Sequence, residues 1–247
     1  MPVYIATIAI QVIAAVHLLR TGRDMRWLWA IVFLPVVGSL AYFFVEGLPS
    51  LQYNRTARKV LRRARDTVDP NRGVREGALD YERSQNIETA SRLADELTKA
   101  GRFSEAIRVC SEARTGIFED DPKILLPLAN AQFGAGQYQD AIATLDYLRE
   151  KHPGFRSADG HLVYARALED SGAGDRALGE YEALARYYPG AEARVRDAML
   201  HKKLGHVERA AELFAALLKD ARLAPKHFRR SQREWIDLAS ANRRPEA

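Results

Sequence analysis

The sequence predicts an all-α protein: a two-helix transmembrane hairpin, then an α-solenoid of about four helix pairs with a C-terminal capping helix. Three observations carry this. Gly101, Gly136, Gly172 and Gly205 are each followed five residues later by an alanine: Ala106, Ala141, Ala177 and Ala210. Those alanines lie 35, 36 and 33 residues apart, the spacing of a stacked helical repeat. Two long uncharged apolar runs open the chain, and β-branched runs, which favour strands, are confined to them.

Residues 3–19 and 27–45 are the apolar runs, 17 and 19 residues without a charge. As helices they would span roughly 26 and 29 Å, close to the ~30 Å hydrocarbon core of a bilayer. A short polar turn with Arg20, Arg23 and Arg26 joins them. Tyr4, Trp27, Trp29 and Tyr42 fall near the expected interfaces, where amphipathic rings are favoured. A cleaved leader is the rival reading of the first run, but it lacks a charged start and a second run follows at once. Pro35 and Gly38 interrupt the second run, as in a kinked span or a re-entrant hairpin. Residues 34–42, with His17-Leu18-Leu19 and the basic turn, resemble the hairpin ahead of cardiolipin synthases of the phospholipase D superfamily. That resemblance implies a membrane anchor, expected over residues 1–48.

Residues 49–85 read as a connector. Tyr53, Ala57, Val60, Leu61, Ala64 and Val68 recur at helical spacing. Arg55, Arg58, Lys59, Arg62, Arg63 and Arg65 lie mostly on the other face. These six are candidate membrane-surface contacts, each worth about 1 kcal/mol beside anionic headgroups. A solvated linker helix is the alternative. Six cations here against three in the turn favour a cytoplasmic soluble domain on a bacterial-type inner membrane. Asp69-Pro70-Asn71-Arg72-Gly73 breaks the pattern, and residues 74–85 then read as a helix leading into the repeats.

Residues 86–224 form the predicted solenoid. Each glycine ends a first helix because it takes left-handed dihedrals without a Cβ penalty. Each alanine lets the second helix pack close. Pro153 and Pro189 close their repeats; Pro225 comes late. Residues 116–121 are an insertion, and Pro127 predicts a kink or late start in its helix. The segment resembles tetratricopeptide repeats, most closely over residues 122–153. The resemblance implies that first helices line a concave surface that holds an extended protein or peptide partner. Residues expected there include Asp95, Lys99, Asn130, Phe133, Arg166, Met199, Lys202 and Lys203; Asn130 and Arg166 occupy equivalent places one repeat apart.

Residues 225–247 hold the capping helix and tail, with Phe228, Trp235, Ile236 and Leu238 on its apolar face. No stacking aromatics interleave with a basic stripe, so nucleic acid is not an expected partner. No phosphate loop, nucleophile elbow or metal-ligand spacing is present, so no catalytic residue, metal or cofactor is expected and the chain does not read as an enzyme. His201, Lys203 and Glu208 resemble half of the phospholipase D motif, but with Glu for Asp, a single copy and Gly205 in the middle. Cys110, the one cysteine, reads as a core residue. The expected function is a membrane-anchored scaffold, with homo-oligomers possible. The alternative is an accessory or diverged non-catalytic relative of phospholipid-synthesising enzymes.

Overall fold

The computed structural model describes residue 69 and residues 71–243. The expected hairpin, and the connector cations Arg55, Arg58, Lys59, Arg62, Arg63 and Arg65, lie outside the described residues. No described helix is long and apolar enough to cross a membrane. A compact unit begins at Asn71.

Every regular element among the described residues is helical. A leading helix, α1 (Arg72–Arg83), precedes four pairs: α2 (Ile87–Lys99) with α3 (Phe103–Ala113), α4 (Pro122–Gly134) with α5 (Tyr138–Lys151), α6 (Ala158–Asp170) with α7 (Gly174–Ala185), and α8 (Glu192–Lys203) with α9 (Val207–Leu223). Two further helices, α10 (Lys226–Ser231) and α11 (Arg233–Asn242), follow. The insertion forms one 3-10 turn, Gly116–Phe118.

The turn within each pair is the same. Gly101, Gly136, Gly172 and Gly205 have φ of 73°, 77°, 88° and 86°. The next residue reaches back to the last turn: the Arg102, Gln137, Ala173 and His206 amides donate to the Leu97, Gln132, Leu168 and His201 carbonyls at 2.8–2.9 Å. This Schellman arrangement satisfies carbonyls that the helix end would otherwise orphan. Seven residues before each glycine stand Ala94, Ala129, Ala165 and Ala198, all fully buried, as are or nearly are the alanines five residues after it. Small residues on both helices of a pair permit close approach, which sets the pitch of the stack.

First helices are buried on two sides. On α4, Ile124, Leu128 and Ala131 join the core of the first repeat, while Leu125 and Ala129 join that of the second and third. On α8, Leu200 belongs to that middle core and Val195 and Ala198 to the last. Consecutive first helices touch, α2 with α4 and α4 with α6, whereas the second helices make no comparable contacts. The first helices therefore line the inner, concave side.

Two expectations change in detail, and the late Pro225 is explained. α4 runs unbroken from Pro122 through the buried Pro127, so its start is not late; Asp121 caps it by accepting from the Lys123 amide. The expected single capping helix is two, broken at Gln232, whose Oε1 accepts the Ala191 amide at 2.8 Å and so is held on the start of α8. The long gap before Pro225 is filled by α9, 17 residues long.

Candidate functional site

The groove begins with register. Residues six before each glycine are Asp95, Asn130, Arg166 and Met199; residues three before are Thr98, Phe133, Glu169 and Lys202. Positions three apart share a helix face, so these eight form a double row along the inner surface.

Buried unsatisfied atoms concentrate on this row. Thr98 Oγ1, Asn130 Oδ1 and Arg166 Nε are the buried side-chain polar atoms without a hydrogen-bond partner among the described residues. Buried polar atoms are almost always satisfied, and leaving one unpaired costs about 1–3 kcal/mol. All three lie on first helices and at groove positions.

The centre is built around Arg166. Its guanidinium lies over the Phe133 ring, 4.5 Å from the centroid, so α4 and α6 meet through a cation–π contact. Phe133 in turn packs against Tyr138 at 5.6 Å. One turn along α6, Glu169 accepts from the fully buried Tyr181 hydroxyl at 2.7 Å. Burial first, and then that bond, push the Tyr181 phenol far above its ordinary value. Tyr188 is raised too, by burial and by the nearby Asp159 and Glu192 carboxylates, with Arg166 opposing. Arg196 donates to Glu192 at 2.8 Å and lies 5.3 Å from the Trp235 ring of α11. The central groove thus carries a cation on an aromatic shelf, an unsatisfied amide oxygen and a held carboxylate.

The sequence-selected residues divide. Asn130, Phe133 and Arg166 come together. Met199 packs half-buried against the last core, Lys202 Nζ donates to Asn242 of α11 at 3.3 Å, and Lys203 is exposed. At the other end Asp95 is half-buried, and burial raises its carboxyl against the pull of Lys99. Thr98, Glu169, Arg196 and Trp235 were missed by sequence reasoning. The first two were legible from register with Phe133; the last two depend on how α11 crosses α8.

The remaining candidates are structural. Burial and Asp95 push the Cys110 thiol up to about 12, which leaves it protonated and unreactive. His201 and His206 face each other across the Gly205 turn, Nδ1 to Nδ1 at 3.1 Å, and His201 Nε2 lies 3.7 Å from buried Asp197. Those partners differ from the pattern the phospholipase D motif would need, and Glu208 stands on the following helix. No cluster of three metal-ligating side chains occurs among the described residues.

Comparison with known proteins agrees with this geometry. Residues 97–158 and 133–200 match the tetratricopeptide repeat family model, and residues 9–47 match the phospholipase D-nuclease N-terminal model. No curated protein matches the chain. Among solved structures, MamA is 19% identical with a TM-score of 0.52, covering 64% of this chain and 91% of its own. A thermophilic TPR protein from Thermus thermophilus is 19% identical, with a TM-score of 0.52 over 68% of this chain and 88% of its own. A tetratricopeptide repeat protein from Parabacteroides merdae is 14% identical, with a TM-score of 0.52 over 95% of this chain and 84% of its own. Residues 97–200 carry tetratricopeptide repeats, and the chain also has a phospholipase D-nuclease N-terminal segment.

Proposed function

We propose that the protein is a membrane-anchored scaffold whose groove binds an extended segment of a protein partner. The carrying observation is the set of unsatisfied buried atoms on groove-facing first helices. Asn130 Oδ1 accepts a backbone N–H of the partner. Arg166, steadied on Phe133, donates to a partner carbonyl or carboxylate. An extended chain offers donors and acceptors at the spacing that successive repeats present, and Glu169 and Asp95 exclude acids from their own positions.

The N-terminal match at residues 9–47 supports anchoring, with the hairpin as the anchor and the inner membrane as the site. Two apolar spans make release from a bilayer negligible and concentrate the groove at its surface. The charge balance of the connector favours a cytoplasmic groove, with Arg55, Arg58, Lys59, Arg62, Arg63 and Arg65 against the inner leaflet. Met199, Lys202 and Lys203 extend the groove toward the cap.

Selection from a displayed peptide library on the full chain in detergent tests the reading. Binders are expected. Arg166→Ala weakens them about 10-fold or more, since a hydrogen bond to a charged group is worth about 1.5–3 kcal/mol, and Asn130→Ala about 2- to 10-fold, since a neutral one is worth about 0.5–1.5 kcal/mol. Binders indifferent to both substitutions would overturn it.

A further inference from the structure

The inter-repeat loops emerge on one edge of the solenoid, apart from the groove. There the insertion projects an apolar side chain into water: Ile117 is 86% exposed and its neighbour Phe118 36%. Gly116, at φ 58°, turns the chain outward, and Glu119, Asp120 and Asp121 follow at once. The foot of this loop is tied down, because His152 Nε2 donates to the Asp120 carbonyl at 2.7 Å and Arg114 Nε to the Glu119 carbonyl at 2.8 Å. The knob is therefore presented on a fixed base.

Beside it, at the junction of the second and third repeats, lies a cavity of about 210 Å³. Leu126, Leu145 and Leu148 form its floor, and Phe155 and Tyr187 its walls, 37% and 54% exposed. A dry apolar cavity of about 150 Å³ takes a benzene ring, so this one has room for a single large apolar side chain. Its polar rim is already satisfied. Arg149 pairs with Asp146 at 2.6 Å, His161 donates to Glu180 at 2.5 Å and also meets the Tyr187 hydroxyl, and Tyr164 donates to Asp146 at 2.9 Å. A polar small molecule gains no new hydrogen bond from those groups; an apolar side chain gains burial.

Charge identifies the occupant. The knob is followed by three acids. On the cavity rim Arg149 is already neutralised by Asp146 and Glu180, whereas Arg156 bonds only the Pro153 carbonyl, at 3.2 Å, and has no carboxylate partner among the described residues. Knob and socket are complementary in shape and sign, and one chain carries both on the same edge. We propose that this edge binds a second copy of the chain, with Ile117 of each copy seated in the Leu126–Leu145–Leu148 cavity of the other and Glu119 facing Arg156 across the contact. A two-fold axis satisfies both sockets at once and closes the assembly as a dimer, because each copy offers the same patch.

A photo-cross-linking residue at position 117 of the full chain tests this directly. The result expected is a cross-linked dimer whose adduct maps to the cavity lining of the other copy, at Leu126, residues 145–164 or Tyr187. Adducts to a different protein, to lipid only, or within one chain only would each overturn the proposal. Sedimentation of the full chain in detergent supplies the second readout. Ile117→Glu raises the dimer dissociation constant at least tenfold. Glu119→Arg and Arg156→Glu each weaken the dimer, and together they restore it. A double variant no better than the singles, with helix content intact, would also overturn it. Since the groove plays no part in the contact, Asn130→Ala and Arg166→Ala leave the dimer unchanged whether or not the groove binds peptide.

Discussion

At the scale of the residue, burial decides which charges act. Asp197 is 4% exposed on α8, with Glu182 of α7, His201 of its own helix and Arg209 of α9 around it. Burial, then Glu182, raise its carboxyl from 3.8 to about 6, with Arg209 opposing. The folded state therefore holds a proton that the unfolded chain has already lost. The stability this contributes is complete below about pH 4 and is lost as pH rises through about 6, on the order of 3 kcal/mol in all. His201 works in the opposite sense. Burial, then His206, lower it, so its contribution is present above about 6.5 and fades as pH falls. The difference between the wild-type and Asp197→Asn melting curves from pH 4 to 7 isolates the aspartate. The melting temperature of the wild type is expected to fall relative to the variant across that interval; parallel curves would refute the assignment. None of this was legible in the sequence, because a carboxylate at the eighth residue before a turn glycine is marked as buried only once α7 and α9 are placed. Asn130 and Arg166, by contrast, were legible from register alone.

At the scale of the element, the glycines separate two roles. Gly172 has φ 88° and nothing within 4 Å of an added Cβ, so Gly172→Ala meets no clash but enters a left-handed conformation. That costs roughly 1–2 kcal/mol. Gly179, inside α7, also has open space around it, but at ordinary helical dihedrals. Gly179→Ala is therefore expected to stabilise by about 0.5–1 kcal/mol through lower chain entropy. Thermal melts of the two variants are expected to move in opposite directions by a few degrees. A shared direction would mean that the turn geometry is not what ends the helix. The four turns were readable because Gly and Ala recur at one spacing. The break at Gln232 was not, since the residue that holds it, Ala191, lies in another repeat. The unbroken α4 was missed for a related reason. Pro127 removes a helix hydrogen bond, yet burial of Leu125, Leu128 and Ala129 around it keeps the helix whole.

At the scale of the molecule, stacking turns a weak local code into one surface. Each first helix shares two cores, so no repeat is independent and the groove is as rigid as the array. The fold class was legible from period. The groove's chemistry was legible only in part, because its centre mixes residues at matching register with Arg196 and Trp235, which meet through the cap. Side-chain oxidation of the full chain, with and without a selected peptide, is the most direct test of the groove. The account predicts that the peptide protects Phe133 and Met199 and leaves Phe155 and Tyr187 on the loop edge unchanged. Protection of Phe155 and Tyr187 with Phe133 and Met199 unaffected would contradict it.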